Sequence, residues 1–136
     1  MTEKHQLLTD QQLEEQFENC TLPPVLVTHE AHLRLAYIHI KKYGFKTAAV
    51  NLYKQFTTFS VKFGNILIIS KSAIKTFVKL IYDFIKKSRS TSFRDLMLEF
   101  PDIKTRFADL LSKSKQNEKS NEKGNYKHQL VGFSTL

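Results

Sequence analysis

Three histidines in one helical segment are the residues here best suited to chemistry. His29 and His32 stand three apart, and His39 stands seven beyond His32, so all three project from neighbouring faces of a helix. An imidazole pair at that spacing can share a divalent transition metal such as zinc, iron or copper, and a buried imidazole needs hydrogen-bond partners or a metal. Arg34 and Tyr37 lie on the same segment and complete a candidate ligand-binding set of His29, His32, Arg34, Tyr37 and His39, with His29 and His32 as the metal pair. The structural alternative is that His29 stabilises the start of the helix while His32 and His39 hydrogen-bond within the core.

Catalytic motifs are missing from the sequence. His29-Glu30-Ala31-His32 is one residue short of the H-E-x-x-H zinc-protease spacing, and no second E-x-x-H segment completes a di-iron carboxylate site. The one cysteine, Cys20, precedes a Pro-Pro turn, where a small buried hydrophobe is the usual reading; it excludes an internal disulfide and fits a reducing compartment. There is no phosphate loop, nucleophile elbow, CxxC pair or EF-hand loop. A non-enzymatic binding protein is the leading expectation, and a small hydrolase or transferase with a histidine general base is a distant one.

Helices must position these residues. Thr9 with Gln12 forms a capping-box pair before Leu13 and Phe17, and Thr21-Leu22-Pro23-Pro24 ends that helix. Thr28 caps a second helix over 29–43, closed by Gly44. Its apolar face holds Leu33, Ala36, Tyr37 and Ile40, leaving a charged arc of Glu30, Arg34 and Lys41. Ala49, Leu52, Phe56, Phe59 and Phe63 mark a third helix ending at Gly64. After the run Ile66 to Ile69, Ser70 or Ser72 caps a fourth, with Ile74, Phe77, Val78, Ile81 and Ile85 inward. Ser92 with Asp95 opens a short helix, and Pro101 starts one that carries Ile103, Phe107, Leu110 and Leu111. The expected fold is all-α: a bundle of five or six helices over residues 1–112. Residues 113–136, poor in apolar residues, are expected to form a disordered basic tail.

The 136 residues, 41% hydrophobic and 25% charged, are ordinary for one soluble domain, and the four glycines disfavour a turn-rich β fold. No apolar run is long enough for a membrane span and none opens the chain as a leader, so a cytoplasmic location is expected. The net charge of +8 is unevenly spread. Residues 1–30 carry one Lys against six acids, whereas residues 31–89 carry twelve Lys or Arg against Asp83 alone. The acidic first helix can therefore neutralise part of the basic body. Lys71, Lys75, Lys79 and Lys86 form one face of the fourth helix, which supports an alternative function as a basic module for nucleic acid or another anionic partner.

The stretch Val27 to Tyr37, V-T-H-E-A-H-L-R-L-A-Y, continued by Lys42-Tyr43-Gly44 and Ala48, resembles the F-T-H-E-A-H-L-R-L-A-[WY] signature of a family of short uncharacterised bacterial all-helical proteins. The resemblance extends through Ser92 to Leu111. It implies a bacterial helical protein and no particular activity. Family members carry Y-H-x-T-x-T or F-N-K-T-V-T just before the fourth helix, where this chain reads Asn65-Ile66-Leu67-Ile68-Ile69-Ser70-Lys71-Ser72. The departure implies loss of any site those residues complete with His29 and His32. The chain after Lys113 also differs from the short aromatic-ended terminus of that family.

Overall fold

A computed structural model describes residues 3–64 and 70–119, with side chains described to Lys113. Among these residues there are seven α-helices and no strand: α1 (Asp10–Glu18), α2 (His29–Tyr43), α3 (Phe45–Lys62), α4 (Lys71–Lys87), α5 (Phe93–Glu99), α6 (Asp102–Thr105) and α7 (Phe107–Lys119). Short 3-10 turns, Lys4–Leu7 and Pro24–Leu26, precede α1 and α2. The expected all-α bundle is what forms. No helix among the described residues is long and apolar enough to cross a membrane.

Local chemistry sets the boundaries. The Thr9 hydroxyl accepts from the Gln12 amide, and the Gln12 side chain accepts from the Thr9 amide, a reciprocal capping box. Thr28, Ser70 and Ser92 cap α2, α4 and α5 in the same one-sided way, each accepting a backbone N–H three residues on at 3.1 Å. Gly44 ends α2 and begins α3 with φ 87° and ψ 167°, a conformation open essentially to glycine alone. The helix expected after Pro101 is two helices: the chain breaks at Arg106, φ −130°, so that α7 restarts at Phe107.

α2 is the axis of the bundle, packed by α1, α3, α4, α5 and α6. Every side chain from Glu30 to Ile40 is buried. That corrects the charged arc expected at Glu30 and Arg34: both are covered by chain from the N-terminus. The aromatic seam of α3 lies against α1, with the Phe17 ring 4.9 Å from Phe59, stacked, and 5.4 Å from Phe56, edge-on. α7 extends to Lys119, past the expected start of the tail at 113. The rest of that tail, and the Asn65 to Ile69 part of the departure from the family signature, lie outside the described residues.

Candidate functional site

The expected ligand set lies on one helix, α2, and its members meet different surroundings. His32 is buried; its Nδ1–H donates to the Thr28 carbonyl at 2.8 Å, and its ring sits edge-on to Phe56 at 4.9 Å. Burial lowers its pKa to about 4, against the opposing Thr28 hydrogen bond, so the ring is neutral near pH 7. His29 faces α7 instead, its ring 5.1 Å from that of Phe107, and burial followed by the charge of Lys104 holds its pKa below the ordinary histidine value.

His39 does not make the hydrogen bonds expected of it. The side chain is 1% exposed, yet neither ring nitrogen has a partner, and its neighbour is the Tyr43 ring at 5.3 Å. Burial lowers its pKa although Glu14 pulls the other way. Tyr37 is also buried, at 5% exposed, with an unpartnered hydroxyl and its ring 5.9 Å from Phe93. Burial, then the charges of Asp10 and Asp95, raise its pKa.

Arg34 has the richest set of partners. Nε and Nη2 both donate to Asp10 Oδ1, at 3.1 and 2.9 Å; Nη1 donates to the His5 carbonyl and Nη2 to the Leu8 carbonyl, each at 2.7 Å. One guanidinium thus closes the polar backbone of the N-terminal turn onto α2. Beside it, Glu30 Oε2 accepts from His5 Nε2 and Gln6 Nε2, each at 2.7 Å, while Oε1 accepts from Lys104 Nζ at 3.0 Å. Burial would raise the Glu30 pKa, but the hydrogen bonds from Gln6, Lys104 and His5 outweigh it and hold the carboxyl below its ordinary value.

Glu3, His5 and Glu30 place three metal-capable donor atoms within 4.8 Å of one another. The surroundings favour an ion-pair cluster over a metal centre. Lys104 Nζ reaches Glu3 at 3.3 Å as well as Glu30, so an ammonium already pairs with both carboxylates. Arg34 Nη1 lies 3.3 Å from His5 Nδ1; a guanidinium has only protons to offer, so Nδ1 accepts and the ring proton belongs on Nε2, the atom a metal would need. His29 and His32, expected to share an ion, are not in this group. Sequence reading missed His5, Asp10 and Lys104, whose partners are far away in the chain; the sole local hint was a histidine in an otherwise polar N-terminus.

A cleft of about 740 Å³ opens on this cluster. His5, Glu30 and Arg34 form one side, and Phe93, Arg94 and Met97 of α5 the other; of the expected ligand-binding residues, Arg34 lines it.

The lysine face of α4 is exposed as expected: Lys71, Lys75, Lys79 and Lys86 all stand in solvent. Among the described residues, Asp83 is the acid within reach, 3.4 Å from Lys79 and 3.6 Å from Lys86. Lys71 and Lys86 lie over the rings of Tyr53 and Tyr82, at 5.6 and 4.7 Å. Two of the four acids of α1 turn to α2, Asp10 to Arg34 and Glu14 to Lys42.

No protein-family model, curated protein or solved structure matches this chain.

Proposed function

We propose that the chain is a non-enzymatic binding protein that docks nucleic acid, through its phosphates, on the lysine face of α4. The observation that carries this reading is how the charge is spent. Asp10 and Glu14 of α1 pair with α2, and among the described residues Asp83 is the acid that pairs with the lysines of α4. From Lys71 to Lys86 the helix rises about 22 Å, the reach of about six phosphates along one DNA strand. Exposed ammonium groups on long stems suit phosphate contact without base readout. The resemblance to the F-T-H-E-A-H-L-R-L-A-[WY] family brings no activity of its own to this reading.

Four phosphate contacts give a slope of log affinity against log salt of about −3.6 on duplex DNA and about −2.8 on a single strand. Binding of the full chain to duplex DNA across a salt series, by fluorescence anisotropy, tests it. In Lys75→Glu/Lys79→Glu the slope should fall by at least half. Loss of binding at low salt, or an unchanged slope in the variant, would refute the reading.

A second reading keeps His29 and His32 as a transition-metal pair within a small-molecule pocket. It is supported by the three-residue spacing of the two histidines on α2, at which two ligands can share one ion, and by the neutral state of His32, the form that ligates metal. Elemental analysis of untagged protein tests it. Metal that is lost in His29→Ala/His32→Ala supports the pair, and a metal content unchanged by the double substitution removes it.

A further inference from the structure

Aromatic rings stand among the lysines of α4. At 100° per residue, Tyr82 falls about 20° around the helix from Lys71, inside the arc that runs on through Lys75 and Lys86 to Lys79. Its half-buried ring stacks on Phe45 of α3, with centroids 5.3 Å and planes 11° apart, and Lys86 Nζ lies over it at 4.7 Å. Toward the start of α4, Lys71 Nζ lies over the half-buried ring of Tyr53, at 5.6 Å. The two helices run antiparallel, because residues 45 and 53 of α3 meet residues 82 and 71 of α4. One ring therefore belongs to the lysine face and the other borders it.

We propose that this face takes single-stranded nucleic acid in preference to duplex, its lysines pairing with phosphates while unpaired bases stack on Tyr82 and Tyr53. The inference rests on the phosphate-docking reading above and adds the form of nucleic acid. Lysines serve both forms, since both present phosphates. Rings do not. Bases in a duplex are already stacked on their neighbours, whereas a single strand can lay its bases on aromatic side chains whatever its sequence.

The lysines over the rings are loosely held and reached from solvent. The Lys86 side chain is 56% exposed, and its bond to Asp83, at 3.6 Å, is a surface ion pair of little worth. Lys71 is exposed as well. A base that takes the place of either ammonium over its ring leaves that ammonium, on its long stem, within reach of the phosphates of the same strand. From Lys71 to Tyr82 the helix rises about 16 Å, or about five phosphate spacings, so the two rings address different bases.

Fluorescence anisotropy of the full chain, with a single-stranded oligodeoxynucleotide and with the duplex of the same sequence, tests the proposal across a salt series. At physiological ionic strength the single strand should bind at least about tenfold more tightly. Tyr82→Leu and Tyr53→Leu should each weaken the single strand about tenfold and leave duplex affinity and both salt slopes unchanged, whereas Tyr82→Phe should bind as the parent does. The chain has no tryptophan, so tyrosine emission is read directly. It should be quenched by the single strand and not by the duplex, and Tyr53→Phe/Tyr82→Phe should bind with most of that quenching gone. Duplex binding with its salt slope intact, but a single strand bound no more tightly or indifferent to both leucine substitutions, overturns the stacking and leaves phosphate docking standing. Equal weakening of both forms by the leucine variants marks rings that serve the fold and also overturns it. Binding of neither form at low salt removes both readings.

Discussion

His5 and Glu30, 25 residues apart, meet through a 2.7 Å hydrogen bond at a point where the histidine has no exposed surface. The contact joins the N-terminal turn to the first turn of α2, and Gln6, Arg34 and Lys104 complete it. A sequence window sees a polar leader and a helix start. The folded chain makes from them one closed electrostatic cluster.

Removing the histidine side chain should therefore cost more than an ordinary surface change. His5→Ala leaves a cavity and takes one donor from a buried carboxylate, for a loss of about 2–3 kcal/mol. Urea unfolding should show a lower midpoint at unchanged slope. A loss below about 0.5 kcal/mol would mean that the N-terminal turn is not docked as described.

Stability should fall on mild acidification. His32 stays neutral in the fold down to about pH 4, against 6.5 for an ordinary histidine. Between those values the unfolded chain binds more protons, so stability is full above about pH 6.5 and declines as pH falls toward 4. The loss from His32 alone is about 3 kcal/mol over the window. His29 and His39 are shifted in the same direction. The lowered carboxyls of Glu14 and Glu30 add a separate loss below their ordinary value of 4.5. In His32→Gln, unfolding free energy measured from pH 7 to 5 should vary less steeply than in the parent chain.

His39 is a place where substitution should help. Both ring nitrogens are buried without partners, a cost that an apolar side chain of similar size avoids. His39→Leu should raise unfolding free energy by about 1 kcal/mol, measured at pH 7. A clear loss instead would show that the imidazole has a role in the fold which its contacts do not reveal.

Gly44 should resist replacement for reasons of backbone alone. A Cβ there would meet nothing within 4 Å, so the cost of Gly44→Ala comes from holding φ 87° and ψ 167°. A loss of about 1–3 kcal/mol is expected in denaturant unfolding. A neutral substitution would show that the junction of α2 and α3 can relax to another conformation.

Single substitutions on the α4 face should separate binding from folding. Lys75→Ala removes one exposed ammonium, so unfolding free energy should stay within about 0.5 kcal/mol. The salt slope for duplex DNA should become shallower by about 0.9. An equal slope would remove Lys75 from the phosphate contacts.

Much of the architecture was legible in the residues because it is local. Thr9, Thr28, Ser70 and Ser92 cap helices where their hydroxyls reach an amide three residues on, and Gly44 stands where the backbone must leave the helix. The 3.6-residue period likewise placed Phe56, Phe59 and Phe77 inside and Lys71, Lys75, Lys79 and Lys86 outside. The break at Arg106 left no such mark, since the apolar spacing from Ile103 to Phe107 is that of one helix.

What only the tertiary structure decided is the fate of the polar groups on α2. Nothing within a few residues of Arg34 or Glu30 names their partners, which come from the N-terminal turn, α1 and α6, and nothing near His39 shows that its ring nitrogens have none. Burying a charge is tolerable only when paired, and burying an imidazole unpaired is costly, so the same helix carries satisfied charges at Glu30 and Arg34 and an unsatisfied ring at His39. Residue type and spacing determined where helices lie and which faces are apolar. Which histidine is anchored, which is stranded, and which acids remain to offset the lysines follow from contacts that exist only once distant segments have met.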